Sequence, residues 1–191
     1  MREIVKMLVV LTLISSASGL GLGMFKQMTN DPIIQAEFKY AKEPALKEVL
    51  PEYDNDLVED SFEIEMEGGD PVTIYPAKKD GNLVAVGFES KASGFGGPVR
   101  IMLGIDTETK ALRGIGIVAH AESPGLGAKI IEESFRKQFR EGYDVSSVLK
   151  VKPDGGKVDA LSGATISSRA VCDAINSAFE LYTGREAEIV K

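Results

Sequence analysis

The sequence predicts an α+β domain behind a single N-terminal transmembrane helix. Three observations predict it: an uncharged run from Met7 to Phe25, paired apolar runs around turn residues in the middle of the chain, and helical stripes outside any βαβ rhythm. The 191 residues suit one compact domain with an appendage. At 43% apolar and 27% charged, the composition is globular, which excludes disorder of the whole chain. A formal charge of −7 leaves no basic surplus to displace counterions from phosphates, which argues against a nucleic-acid binder. The single cysteine, Cys172, excludes an intramolecular disulfide and leaves too few thiolates for an iron–sulfur cluster or a cysteine zinc site.

The run from Met7 to Phe25 is about the length that crosses a bilayer as a helix. Arg2 and Lys6 precede it with Glu3, and Lys26 follows, so the positive-inside rule keeps the N-terminus cytoplasmic. A buried core helix is one rival reading. A cleaved signal peptide is another, because the compact stretch Met7–Ile14 precedes the small residues Ser15-Ser16-Ala17-Ser18. Apolar character then resumes from Gly19 to Phe25, which favours an uncleaved, lipid-embedded anchor over residues 1–25. Residues 26–191 then form an extracytoplasmic domain.

Asn30 and Asp31-Pro32 supply a helix start. Helical spacing follows in Ile34, Phe38 and Ala41, and after Pro44 in Leu46, Val49 and Leu50. An acidic reach runs from Glu52 to Asp70, where Phe62, Ile64 and Met66 alternate with acids as a strand with one solvated face. Calcium binding there lacks the ordered acidic loop it needs. Val72–Ala77 and Leu83–Ser90 flank Asp80-Gly81-Asn82 as one hairpin, and Val99–Ile105 and Leu112–Ala119 form a second. Between them lies the glycine-rich loop Gly94-Phe95-Gly96-Gly97-Pro98. After the loop from His120 to Gly127, Ile130, Ile131, Phe135 and Phe139 predict a helix ending near Gly142. Lys157–Leu161 reads as a short strand. A final helix over Ile166–Tyr182 buries Val171, Ile175, Ala178 and Tyr182 and stops at Gly184.

Several tempting patterns fail. Gly19, Gly21 and Gly23 follow no strand and so make no dinucleotide fingerprint, and Gly125–Lys129 lacks the spacing of a phosphate loop. One histidine cannot build a multi-histidine metal site, and His120 reads as a hydrogen-bonded loop residue. No catalytic residue and no metal ligand is assigned. The informative cluster is Asp159-Ala160-Leu161-Ser162-Gly163-Ala164-Thr165, followed by Ser167 and Ser168. Four hydroxyls crowd one helix start beside small residues. Two readings stand: the hydroxyls cap the helix, or the helix start seats a phosphate.

At these residues the sequence resembles the FMN-binding domain family. Asp159, Ser162, Gly163, Ala164 and Thr165 match its D-x-x-(S/T)-G-A-T motif, where a flavin transferase esterifies FMN through its phosphate to the threonine. The loop from His120 through Glu122, Ser123, Gly125, Leu126 and Gly127 is similar to the family's H-x-E-T-P-G-L-G, with Ser123 in place of threonine. Gly94-Phe95-Gly96-Gly97 is similar to its G-Y-G-G, with Phe95 in place of tyrosine. Anchor, length and motif order together resemble the G subunit of Rnf-type ion-pumping ferredoxin:NAD⁺ oxidoreductases, with the C subunit of sodium-pumping NADH:quinone reductases a near relative in kind.

The resemblance implies FMN joined by a phosphoester bond to Thr165. Ser162, Gly163 and Ala164 would form the recognition turn, with Asp159 as a helper in a metal-dependent transfer. Gly96, Gly97, Glu122, Ser123, Gly125, Leu126 and Gly127 would wall the flavin. It also implies one-electron relay among other membrane and peripheral subunits, in a bacterial or archaeal cell membrane. A flavin subunit of another reductase and a non-redox extracytoplasmic scaffold remain as rivals.

Overall fold

The computed structural model describes residues 1–66, 71–140 and 142–190; the side chains of Asn30 and Asp31 also lie outside the description. The chain divides into two compact units, Met1–Tyr40 and Ala41–Lys191. The first is dominated by α1 (Arg2–Glu37), an exposed helix of 36 residues, or about 54 Å at the usual rise. It is long and apolar enough to cross a membrane. The expected helix start at Asn30-Asp31-Pro32 is not found, because α1 runs straight through Pro32. Extending a formed helix fixes one residue per bond, whereas starting a new one is unfavourable, so propagation overrides a local start signal. A π-helical turn, Phe38–Lys42, leads out of α1.

The second unit is built around five antiparallel strands in the order β1 (Phe62–Ile64), β2 (Val72–Lys79), β3 (Asn82–Ser93), β4 (Pro98–Asp106) and β5 (Leu112–Ala119). Both expected hairpins are present, and β2 and β3 are joined through Asp80 and Gly81 at φ 51° and 78°. Two successive left-handed residues give the turn whose twist matches the strands it joins. The glycine-rich loop between the expected hairpins is itself a hairpin tip, since Ser93 pairs with Pro98. The sheet is therefore one continuous meander. Met66 lies beyond β1, and Glu67 and Asp70 of the acidic reach lie outside the described residues.

Helices cover both faces. The short helix α2 (Glu43–Val49) lies on a face paved with glycine: a Cβ on Gly104 would sit 2.2 Å from the Val49 carbonyl oxygen, and one on Gly116 would sit 2.7 Å from the Ala45 Cβ. On the other face Phe88, Ile101 and Leu103 share the core with Val171, Ile175 and Tyr182 of the long C-terminal helix.

Three local expectations need correction. The helix expected through Ile130–Phe139 is a 3₁₀ turn (Gly127–Ile131), a single α turn named α3 (Glu133–Arg136) and a second 3₁₀ turn (Lys137–Arg140). An extended Glu132 (φ −70°, ψ 139°) breaks the run, which buries Ile130, Phe135 and Phe139 but turns Ile131 to solvent. The strand expected at Lys157–Leu161 reduces to one parallel bridge, Val151 to Val158. Two of its backbone donors go to side chains: Asp159 N–H to Gln138 Oε1 at 2.8 Å, and Leu161 N–H to Ser168 Oγ at 2.9 Å. The last helix, α4, spans Thr165–Ile189, so Gly184 precedes a distortion at Arg185 (φ −127°) and not a stop.

Candidate functional site

Three separated segments converge where α4 begins: the tip Gly94–Gly97, the loop His120–Gly127, and the turn Leu161–Thr165. Gly163 makes that turn in the left-handed region, φ 75°, with the Ala164 N–H donating to the Leu161 carbonyl at 3.0 Å. Ser168 locks it from below, accepting the Leu161 N–H and donating its hydroxyl to the Ala164 carbonyl at 3.1 Å.

The residue in the N-cap position is Ala164, and no side chain caps the helix. The first-turn amides of Thr165, Ile166 and Ser167 have no carbonyl one turn earlier to receive them. Of the four hydroxyls in the cluster, Ser168 binds the turn and Ser167 binds Glu122. Ser162 is exposed and Thr165 half-buried at the mouth of the helix. Between the two readings of the cluster, side-chain capping is the one the structure does not contain. Free amides, the positive end of a helix dipole and an accessible threonine hydroxyl make a fitting seat for a phosphate group.

The walls of the site are held by Glu122. Its side chain is buried, and its Oε1 accepts the Phe95 N–H at 2.8 Å and the Gly96 N–H at 3.4 Å. Its Oε2 accepts the Ser167 hydroxyl at 2.7 Å. Two glycines make room for this carboxylate: a Cβ on Gly94 would sit 2.1 Å from Oε1, and one on Gly127 would sit 2.4 Å from Oε2. His120 accepts the Glu122 N–H at Nδ1, 3.2 Å, and is a hydrogen-bonded loop residue. A Cβ on Gly163 would lie 3.4 Å from Leu126 Cδ2, which brings that loop against the turn.

Exposed apolar residues lie on or beside the converging segments. Phe95 of the tip, Leu126 of the second loop and Ile166 in the first turn of α4 are exposed at 71%, 51% and 46%, apolar surface of a kind that suits an apolar ligand. Gly97 and Gly125 lie at the same loops with positive φ, and Ser123 is exposed. Asp159 stands apart on the surface, its carboxylate 2.6 Å from Lys152 Nζ. Arg169, one turn into α4, is committed to a two-pronged pair with Asp154 at 2.6 and 2.8 Å, which holds the Asp154 carboxyl below its ordinary pKa.

Every residue assigned from the sequence except Asp159 thus falls in or beside one cluster. Sequence reasoning counts Phe95 only as part of a loop expected to wall the flavin, and it gives Ser167 no role as the partner of Glu122. A buried serine facing a glycine is visible only once the two loops meet.

Residues 94–180 match the FMN-binding domain family. The match begins at the hairpin tip and ends within α4, and so takes in all three converging segments. The C subunit of the Na⁺-translocating NADH-quinone reductase from Parabacteroides distasonis shares the fold, with a TM-score of 0.52 at 24% identity over 74% of this chain and 72% of that one. The G subunit of the ion-translocating oxidoreductase complex from Methanosarcina acetivorans is 33% identical over 97% of both chains. Its namesake from Stutzerimonas stutzeri is 33% identical over 89% of this chain and 77% of that one. With sequence likeness extending from the apolar helix through the whole cluster, the chain belongs to the family of G subunits of ion-translocating oxidoreductase complexes.

Proposed function

We propose that this chain relays electrons through FMN held covalently on Thr165, as a membrane-anchored subunit of an ion-translocating ferredoxin:NAD⁺ oxidoreductase. The observation that carries the reading is the uncapped start of α4, with Thr165 at its first position and Ser162 and Gly163 forming the turn before it. FMN supplies one-electron redox chemistry when bound. The chain's residues do the rest. The amides of Thr165, Ile166 and Ser167 face a phosphodiester with the positive end of the helix dipole. Leu126, Phe95 and Ile166 offer apolar surface to the ring system and limit water around it. Attachment would require the Thr165 Oγ to lose its proton and attack the flavin-bearing phosphorus of a flavin dinucleotide, forming the O–P bond as the phosphoanhydride breaks and a nucleoside monophosphate leaves, a step for a flavin transferase. On this reading Asp159, exposed three residues before Ser162, would have to leave its pair with Lys152 to assist the metal-dependent transfer.

The tether has a physical rationale. A domain facing the extracytoplasmic fluid would lose a dissociable flavin by dilution, whereas a covalent link keeps the local concentration high. Residues 1–25 anchor the chain with the N-terminus cytoplasmic, and residues 26–191 carry the flavin outside, beside the other subunits of the complex. The test is co-expression of the full chain with a flavin transferase, followed by a denaturing gel under ultraviolet light. A fluorescent band is expected for the wild type and for Thr165→Ser, with none for Thr165→Ala. A band that persists in Thr165→Ala overturns the attachment.

A further inference from the structure

We propose that Glu122 is the positioning residue of the flavin seat, acting through Ser167 and the Phe95 and Gly96 amides and without itself touching the flavin. The inference rests on FMN being carried at Thr165. Both carboxylate oxygens point into the protein: Oε1 takes two amides of the hairpin tip at 2.8 and 3.4 Å, and Oε2 takes the Ser167 hydroxyl at 2.7 Å. With relative exposure of 6%, the side chain has little surface left to offer a ligand.

Its partners are the parts that must be aligned. Ser167 is two residues past Thr165 in the same helical turn, so the bond to Oε2 fixes the attachment point. Phe95 carries one wall of the mouth, and its own N–H is held by Oε1. Leu126 carries another, on the same loop as Glu122. One buried carboxylate therefore sets the distance between the tether and two apolar walls that lie 31 residues apart in sequence. Gly94 and Gly127 are the clearance this requires, since a Cβ on either would displace the carboxylate.

The test uses the full chain, with and without the flavin transferase, and reads two signals. In the unloaded chain, hydrogen exchange at Phe95 and Gly96 reports the clamp itself. Glu122→Ala is expected to speed it about 10–100-fold, as for loss of a hydrogen bond to a charged group, while Glu122→Gln retains most of the protection. In the loaded chain, visible circular dichroism reports how rigidly the ring is held. Glu122→Ala is expected to keep its fluorescent band on the gel but lose the dichroic bands, which Glu122→Gln retains. Gly104→Ala, destabilised at a distant face, is expected to keep them. Wild-type exchange in Glu122→Ala overturns the proposal, as does faster exchange with unchanged dichroism or equal loss in the Gln variant. Ser167→Ala decides the matter if Glu122→Ala does not fold: weakened dichroism supports the clamp, and wild-type dichroism overturns it. A wild type with no flavin on Thr165 defeats the functional reading instead, and the exchange data still judge the clamp.

Discussion

Glu89 shows how a single side chain can carry an acid sensitivity. It lies on the sheet face that holds α2, 3.2 Å from Lys42 Nζ, with Arg100 gripping both of its oxygens. Burial pushes its carboxyl pKa up, but the bonds from Arg100 and the charge of Lys42 outweigh this and bring it below the ordinary value. A carboxyl whose pKa is lowered by folding stabilises the fold above the unfolded value, about 4.3 for glutamate, and loses that contribution as pH falls through the lower folded value. Urea unfolding of the wild type and Glu89→Gln should therefore differ at neutral pH by about 1–3 kcal/mol and converge in acid. Cys172 makes the opposite case. Burial, helped by the charge of Asp173, pushes its thiol up to about 12, so almost no thiolate exists at neutral pH. Native protein should resist iodoacetamide at pH 7.5, and unfolding in urea should release one reactive thiol. Among individual residues, those of the turn from Ser162 to Thr165 are legible from the sequence because the motif is contiguous. The pairing of Glu122 with Ser167 is not, because it joins positions 45 apart.

At the level of elements, periodicity serves well where packing is one-sided. Val171, Ile175, Ala178 and Tyr182 recur on one face of α4 and are all buried, as their spacing predicts. It fails at Ile130–Phe139, where an i, i+4 stripe predicts one helix. Breaking the run at Glu132 brings Ile130 into the core with Phe135 and Phe139, and these contacts outweigh the helical bonds lost. The strand pattern gives the glycines of the sheet no role of their own. Gly87 and Gly104 stand opposite each other in register, and with Gly116 they let α2 lie against the backbone. A methyl group at Gly104 must lift α2 away from the sheet. Gly104→Ala should cost about 1–3 kcal/mol, read from the urea midpoint, which is the usual penalty of overpacking.

For the whole molecule, the division into Met1–Tyr40 and Ala41–Lys191 leads to a simple expectation. The full chain should sediment with membranes, whereas residues 41–191 should remain in solution with a cooperative thermal transition. Release of the full chain by carbonate washing would argue against α1 as an anchor. The acidic reach also acquires a structural role at this scale. Glu52 pairs with Lys79 at 3.0 Å, Asp60 with Lys78 at 2.9 Å, and Asp54 accepts the Asp80 N–H at 2.8 Å. Asn55 adds bonds to the backbone of Pro76 and Lys78, so part of the reach is stitched to the end of β2.

The sequence by itself determined the fold class, the apolar N-terminal helix, both hairpins and the turn that ends in Thr165. Each depends on neighbours within a few residues, where period, turn chemistry and motif spacing act directly. Only the tertiary structure decided how the walls of the site are held, why the sheet needs its glycines and where the helices break. Those outcomes turn on side chains that meet across tens of residues, and on which local preference yields when the core is filled.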